Sequence, residues 1–206
     1  LSFKLYGTQY GGWVINLGLV PEKSTVVSAG IGEDISFDLE LMTRRSCKII
    51  GIDPTHKSHI FIENQNLNNF TLIKKALHHE NDDIISIYRN KRSDHVSESI
   101  LPDHHSVKGF DSYYTETISL EYLFERYKNV SVVKMDIEGS EYNVFKNLNH
   151  FPDSVKQVCV EFHHFCSDKT IEDTRQVIKK MAKLGFENFV EKTGGKELSE
   201  LTFWRM

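Results

Sequence analysis

The chain has little cysteine, no long apolar run and no extended basic tract, and each shortage removes a class of protein. Only three of its 206 residues are cysteine, namely Cys47, Cys159 and Cys166. An odd count without regular spacing supports no disulfide framework. Cys47 and Cys159 lie in or beside apolar stretches and read as small core hydrophobes. No apolar run approaches the roughly 18 residues of a membrane span. There are 25 basic and 29 acidic residues, for a formal charge of −4. The densest basic spot, at 89–92, is too small to argue for nucleic acid. The chain opens on Leu1 rather than Met. A complete chain would be expected in the cytoplasm; otherwise the compartment is open, as is the oligomeric state. At 206 residues and 39% hydrophobic content, one domain over 1–206 can bury a sizeable core.

What is present is organised around residues 25–54. An apolar run, Thr-Val-Val-Ser-Ala, meets the turn Gly30-Ile31-Gly32. Glu33 and Asp34 open a predicted helix over 34–43, and a second buried run over 48–52 ends in Asp53-Pro54. Strand, glycine turn, helix, strand and terminal acid form the first half of a nucleotide-binding α/β sheet. Glycines let the backbone approach a ligand at a helix N-terminus. The third glycine of the dinucleotide fingerprint is missing, however, and Ile35 stands in its place. Glu33 and Asp34 would also repel a pyrophosphate. An adenosyl ligand without phosphates fits better, and S-adenosyl-L-methionine is the natural candidate; the bland alternative is a turn that binds nothing.

The remaining segments alternate in type. Residues 1–24 are an aromatic and glycine-rich stretch, either a cover over the sheet edge or a flap that shows Tyr10 or Trp13 to a ligand. A helix is predicted over 57–66, a strand over 71–77 and an added strand over 84–88. Residues 89–114, with His95, His104 and His105, read as an irregular excursion bordering an acceptor site. A short strand over 115–118 leads to Ser119, which caps a helix through Arg126 with Tyr122 and Leu123 on its apolar side. A central strand over 132–135 delivers Asp136 and Glu138 to its carboxyl end, before a helix over 140–148. Either acid is a ligand group or a mere helix cap, whereas Glu141 suits the helix dipole. The buried run 155–162 carries Glu161, followed by His163 and His164. An amphipathic helix over 170–184 and a closing hairpin, 186–190 with 201–204, complete the pattern.

Three features combine: Val-Val-Ser-Ala-Gly-Ile-Gly with Ile-Gly-Ile-Asp-Pro downstream, Lys-Met-Asp-Ile-Glu-Gly-Ser-Glu at 134–141, and Val-Cys-Val-Glu-Phe-His-His before a terminal hairpin. Together they resemble the FkbM-type family of S-adenosylmethionine-dependent methyltransferases, over about 25–203. The resemblance implies an α/β class I methyltransferase (Rossmann-like) fold. Its sheet is seven-stranded and mostly parallel, with one antiparallel edge-region strand, in the order 3-2-1-4-5-7-6. The resemblance also implies that Ser28, Gly30 and Gly32 stand at the cofactor's methionine end and that Asp53 binds ribose. Ala76, Leu77 and His78 would lie near adenine. Members usually carry an acid where this chain has Ser28, and Glu33 or Asp136 is the candidate replacement. The acceptor expected from the resemblance is a hydroxyl of a sugar or similar small molecule.

A hydroxyl needs a base in reach. Asp136 is the first candidate, then Glu161, with His163 or His164 third. Asp136 is alternatively a ligand for the methionine ammonium, and Glu138 orients the acceptor or holds the Gly139 turn. The same acids and imidazoles are possible hard-metal ligands, but they lie on two strands without a diagnostic spacing, and no metal is expected.

Overall fold

The computed structural model describes residues 1–92, 97–104, 106–164, 168–194 and 198–206. His95, His105 and Cys166, singled out above, lie outside the described residues.

Two short strands, β1 (Lys4–Tyr6) and β2 (Trp13–Ile15), pair antiparallel as an N-terminal hairpin. The core of the chain then alternates strand and helix: β3 (Thr25–Ala29), α1 (Ser36–Arg45), β4 (Lys48–Ile52), α2 (His56–Gln65) and β5 (Phe70–Ile73). Three strands follow outside the main sheet and its helices: β6 (Ala76–His78), β7 (Ile84–Asn90) and β8 (Val107–Ser119). The second half comprises α3 (Leu120–Arg126), β9 (Val130–Met135), α4 (Glu141–Val144), β10 (Gln157–His163), α5 (Ile171–Lys183), β11 (Asn188–Gly194) and β12 (Leu198–Trp204).

Seven strands form one mixed sheet in the order β11-β12-β10-β9-β3-β4-β5. The chain numbering departs from the expected 3-2-1-4-5-7-6 because two other strands precede the sheet's first member and three fall between β5 and β9. Counted among sheet members alone, the run from β5 to β11 reads in that order. β12 is antiparallel to both its neighbours and every other pairing is parallel. This is the α/β, Rossmann-like sheet expected of a class I methyltransferase. Its central strands are buried on both faces, as parallel strands covered by helices must be. Alternate residues divide the core. Val27, Ile50, Val133 and Val160 pack towards α3, α4 and α5, whereas Val26, Ile49, Val132 and Cys159 pack on Trp13, Phe37 and Leu41.

Several elements differ from expectation for identifiable reasons. The strand predicted over 71–77 is two strands. Lys74 and Lys75 interrupt it by turning outward to Glu63 and to Asp82 and Glu116. β6 then joins a separate three-stranded sheet, β6-β8-β7. The 89–114 excursion is only partly irregular, because β7 runs on to Asn90 and β8 begins at Val107, and the two pair antiparallel. The helix predicted over 140–148 shortens to α4; Phe145 and Leu148 remain buried in the turns that follow. Tyr122 is 42% exposed, so the apolar face of α3 is Leu120, Leu123 and Phe124. Ser119 does cap α3, accepting from the Tyr122 N–H at 3.2 Å. Thr170 and Asp173 form a capping box at α5. Both Cys47 and Cys159 are fully buried.

A buried side chain of β10 fastens the residue that follows the N-terminal hairpin to the sheet. Gln157, itself fully buried, accepts from the Asn16 N–H at 2.7 Å and donates to the Asn16 carbonyl at 3.0 Å. Replacing Gln157 with Leu strands both backbone groups away from water. The expected cost is about 3 kcal/mol of stability. Urea denaturation of the two proteins checks this; a midpoint unchanged by Gln157→Leu would show that the fastening contributes nothing.

Candidate active site

A cleft opens where the carboxyl ends of β3, β4 and β9 meet, the position at which open α/β sheets bind ligands. Its volume is about 1110 Å³, mouth included, which is ample for a nucleoside-sized molecule. One wall is the turn after β3. Gly30 and Gly32 have φ of +74° and +56°. A Cβ on Gly30 would fall 1.6 Å from the Asp136 carbonyl oxygen, so the turn and the end of β9 touch backbone to backbone. Only glycine permits both the φ and the approach.

Three groups hold that turn. The Gly30 N–H donates to the Ile52 carbonyl at 3.0 Å. The Lys134 ammonium, buried under β3, donates to the carbonyls of Ala29 and Gly30. The third is Asp53, which is buried. Its Oδ2 accepts from the N–H groups of Ile31 (2.8 Å) and Gly32 (3.2 Å) and from Ser58 Oγ (3.0 Å). Its Oδ1 accepts from the Thr55 N–H (2.8 Å) and hydroxyl (2.6 Å). A carboxylate offers about four lone-pair positions. These five donors fill them, so Asp53 is a clamp on the turn, where the resemblance implied a ribose ligand.

The other expected cofactor residues divide. Gly30, Gly32, Ala76, Leu77 and Asp136 line the cleft together with Ile31, Ile52 and Ile87, which form its apolar shelf. Ser28 and His78 are buried and do not line it. Ser28 lies on the opposite face of β3, beside Asp38 of α1. His78 turns its ring onto His79, with centroids 4.2 Å apart. The N-terminal segment covers one side of the sheet: Trp13 packs in the core and borders the cleft, while Tyr10 is 85% exposed at the cleft edge. Asp34 anchors it, accepting from the Thr8 hydroxyl at 2.6 Å and from the Ser36 N–H at the start of α1.

The opposite wall is acidic. Neither Asp136 nor Glu138 caps α4, whose start has no side-chain cap. Both face the cleft, with Glu161 of β10 and Glu200 of β12 beside them. Glu138 sits in the left-handed region at φ +54°, followed by Gly139 at +93°, a bend that re-aims the chain at the strand's end. His163 does not line the cleft but closes the cluster from behind. Its Nδ1 is 3.0 Å from Glu141 Oε1, and its Nε2 is 3.4 Å from Glu161 and 3.7 Å from Glu138. His164 points elsewhere, to Thr174 Oγ1 at 3.0 Å. Burial, reinforced by Asp136, pushes the Glu161 carboxyl up to about 8. Burial raises Glu138 too. Burial alone would lower His163, but the carboxylates of Glu141, Glu138 and Asp136 outweigh it and raise it well above the ordinary range.

Sequence reasoning gives Glu141 only a helix-dipole role, leaves His104 as one histidine of the excursion, and assigns no role to Lys134 or Glu98. Glu141 is fully buried and its Oε1 accepts from the Ile137 and Gly139 N–H groups. Its place within Glu-Gly-Ser-Glu was the available signal. His104 approaches Glu138 at 3.7 Å from the excursion, and Ser99 donates to the Glu138 carbonyl at 2.6 Å. No spacing in the sequence foretells these two.

Among the described lining residues, eight are acids (Glu33, Asp34, Asp53, Glu98, Asp136, Glu138, Glu161 and Glu200) and one is a base, Lys134, whose ammonium is spent on the turn. A cleft so charged rejects phosphates and favours a cation. S-adenosylmethionine, with a sulfonium and an ammonium against one carboxylate, fits it. A glycine turn at strand ends, an apolar shelf and acidic walls define an α/β enzyme that takes a positively charged nucleoside cofactor. The model of the Methyltransferase FkbM domain matches residues 16–187, and the chain belongs to that family. It is an S-adenosylmethionine-dependent methyltransferase.

No curated protein matches the chain closely enough to count as a relative. Among solved structures it is similar to a chain of the fibrillarin/Nop5p complex, at 12% identity and a TM-score of 0.49, covering 98% of this chain and 91% of that one. It is similar to M. capricolum TrmK in complex with S-adenosyl-homocysteine, at 8% and 0.48, covering 92% and 68%. It is also similar to the precorrin-6y C5,15-methyltransferase of Geobacter metallireducens, at 10% and 0.47, covering 92% and 85%. Likeness at this level has no bearing on activity.

Asp38 gives a pH prediction. Burial raises its folded-state pKa to about 6 against an ordinary 3.8. The folded chain therefore keeps a proton that the unfolded chain releases. The stability this confers is full below about pH 4 and is lost as pH rises through 6. Asp38→Asn should flatten that decline and stabilise the protein at pH 8 by up to about 3 kcal/mol. Urea midpoints at pH 5 and pH 8 test it; parallel profiles for the two proteins would mean that Asp38 ionises without penalty.

Proposed function

We propose that the methyl group goes to a hydroxyl of a sugar or similar small molecule, bound against the acidic wall between Asp136 and Glu161. The supporting observation is the pair of cleft-facing carboxyls at the ends of adjacent strands, backed by His163. When bound, the cofactor supplies an electrophilic methyl carbon. The chain must align the acceptor oxygen in line with the breaking bond and take its proton. Asp136 is the general base in this reading. In the absence of any bound cation, Glu161 holds a proton at neutral pH and so donates a hydrogen bond to the acceptor's oxygen. Glu141 fixes the His163 ring, which in turn places Glu161. Ala76, Leu77 and the apolar shelf receive the adenine. Asp53 acts through the turn it clamps.

Asp136→Asn keeps the shape of the site and removes the base. Turnover should fall about 10²- to 10⁴-fold, while calorimetric binding of S-adenosylmethionine stays within a few-fold of wild type. Full turnover in this variant on a panel of sugar acceptors would remove Asp136 from the role. Asp53→Asn should instead weaken cofactor binding at least tenfold, because an amide cannot accept from every donor that now faces it. Unchanged affinity would show that the turn holds without its clamp.

A further inference from the structure

The acidic wall contains a ligand set that its own hydrogen bonds leave incomplete. Asp136, Glu161 and His163 each offer one donor atom, and the three atoms lie within 4.8 Å of one another. They come from the carboxyl ends of β9 and β10, two strands paired in parallel register. The sequence spacing favoured no metal, because the fold, not the local sequence, brings these residues together.

Two further observations point to a cation. The first is the orientation of His163, whose side chain is 10% exposed. Glu141 Oε1 takes its Nδ1 at 3.0 Å, which leaves Nε2 turned towards the oxygens of Glu161 (3.4 Å) and Glu138 (3.7 Å). Among the described residues, Nε2 makes no hydrogen bond. A neutral imidazole would therefore aim a lone pair at two carboxylates, an arrangement that needs a proton or a metal ion between them. A carboxylate that fixes one ring nitrogen so that the other can ligate is the usual outer shell of a metal-bound histidine. The second is Glu141 itself. It is fully buried, and its Oε2 has no hydrogen-bond partner among the described residues. The local excess of negative charge thus extends behind the ring as well as into the cleft.

We propose that Asp136, Glu161 and His163 bind a divalent first-row cation of the Mn²⁺ type, on which the acceptor's oxygen is coordinated. Two carboxylates and one imidazole suit such an ion: the oxygens favour a hard metal, and the nitrogen favours the first-row series over Mg²⁺ or Ca²⁺. Three protein ligands leave positions open towards the cleft. A vicinal diol, or a hydroxyl beside a carbonyl, fills two of them. Coordination weakens the O–H bond, so the acceptor loses its proton near neutral pH. One Asp136 oxygen ligates the metal while the other takes that proton. The oxygen then forms its bond to the methyl carbon as the carbon–sulfur bond breaks and the electron pair stays on sulfur. The cation is neither oxidised nor reduced. This proposal rests on the reading of the cleft as a methyl-acceptor site and adds how that acceptor is held and activated.

The test is Mn²⁺ titration of the chelator-treated full chain, followed by electron paramagnetic resonance of the free ion and by calorimetry. One ion per chain at micromolar affinity is expected, weakened at least tenfold in Glu161→Gln and in His163→Ala. Calorimetric binding of S-adenosylhomocysteine reports whether each variant is folded. Should His163→Ala fail to fold, Glu161→Gln and Asp136→Asn carry the comparison. Mg²⁺ and Ca²⁺ should bind at least tenfold more weakly than Mn²⁺. Absence of stoichiometric Mn²⁺ binding up to millimolar concentration overturns the proposal, and His163 is then an imidazolium paired with its carboxylates. Binding that survives both carboxylate substitutions overturns it as well. Methyl transfer that persists unchanged in excess chelator defeats the activation role and leaves the methyltransferase reading standing. Failure to bind S-adenosylhomocysteine would count against that reading instead, separately from the metal result.

Discussion

The Asp53 carboxylate is the constraint on which the site depends. A turn whose two glycines have positive φ has only the Ile31 side chain with which to fix itself, and the N–H groups of Ile31 and Gly32 point to Asp53. Asp53 collects two of those N–H groups while Thr55 and Ser58 hold it from the start of α2. The end of β4, the turn after β3 and the start of α2 are thereby one rigid piece. Lys134 fastens the same turn to β9 through the carbonyls on its other side. N–H groups are drawn one way and carbonyls the other, which sets the peptide planes of the turn. An acid in this position serves the site by holding the turn, whatever else it meets at the cleft that it lines.

Charge then divides the cleft by function. The apolar shelf of Ile31, Ile52, Leu77 and Ile87 lies on the β4–β6 side, and the carboxyls of Asp136, Glu138 and Glu161 lie on the β9–β10 side. A flat heterocycle and a cationic, polar end therefore have opposite places to go. Crowding acids in a half-buried wall is costly unless protons or cations share the charge. Protons account for part of this, through the raised Glu161 and Glu138 carboxyls and the retained proton of His163.

The main sheet was legible because its signals are local. β3 and β4 have the bounds expected of them, the Gly30–Gly32 turn joins β3 to α1, and the amphipathic period of α5 fixes its buried face. Asp136 and Glu161 were legible as well, because acids at the ends of apolar strands have few structural reasons to be there. What escaped was whatever depended on pairing at a distance. Of β8 only the stretch 115–118 was expected; its earlier part carries Gly109, Asp111 and Ser112, lacks clean alternation, and is a strand through its pairing with β7. Asp53 matched a ribose ligand by position, yet its neighbours Thr55 and Ser58, innocuous in the sequence, fill its lone pairs. His163 was one of two adjacent histidines, and nothing in the sequence says which would meet Glu141 and which Thr174. Ser28 and His78 were assigned by position alone, and strand alternation buries both out of reach of the cleft.

Ser28 has a further consequence for charge balance. The resemblance implies an acid at this strand position, which would sit on the α1 face of β3, one strand from Lys134. A buried ammonium with no nearby negative charge costs several kcal/mol. Asp38, one turn into α1, is buried on that same face beside Ser28, and its charge is felt by Lys134. A carboxyl on this face of the sheet thus comes from the helix that covers it. Burial outweighs the attraction of Lys134 and raises Asp38 to about 6, so its charged form is held at a net cost. Neither Ser28 nor Asp38 lines the cleft, while Asp136 and Glu161, at the ends of β9 and β10, do.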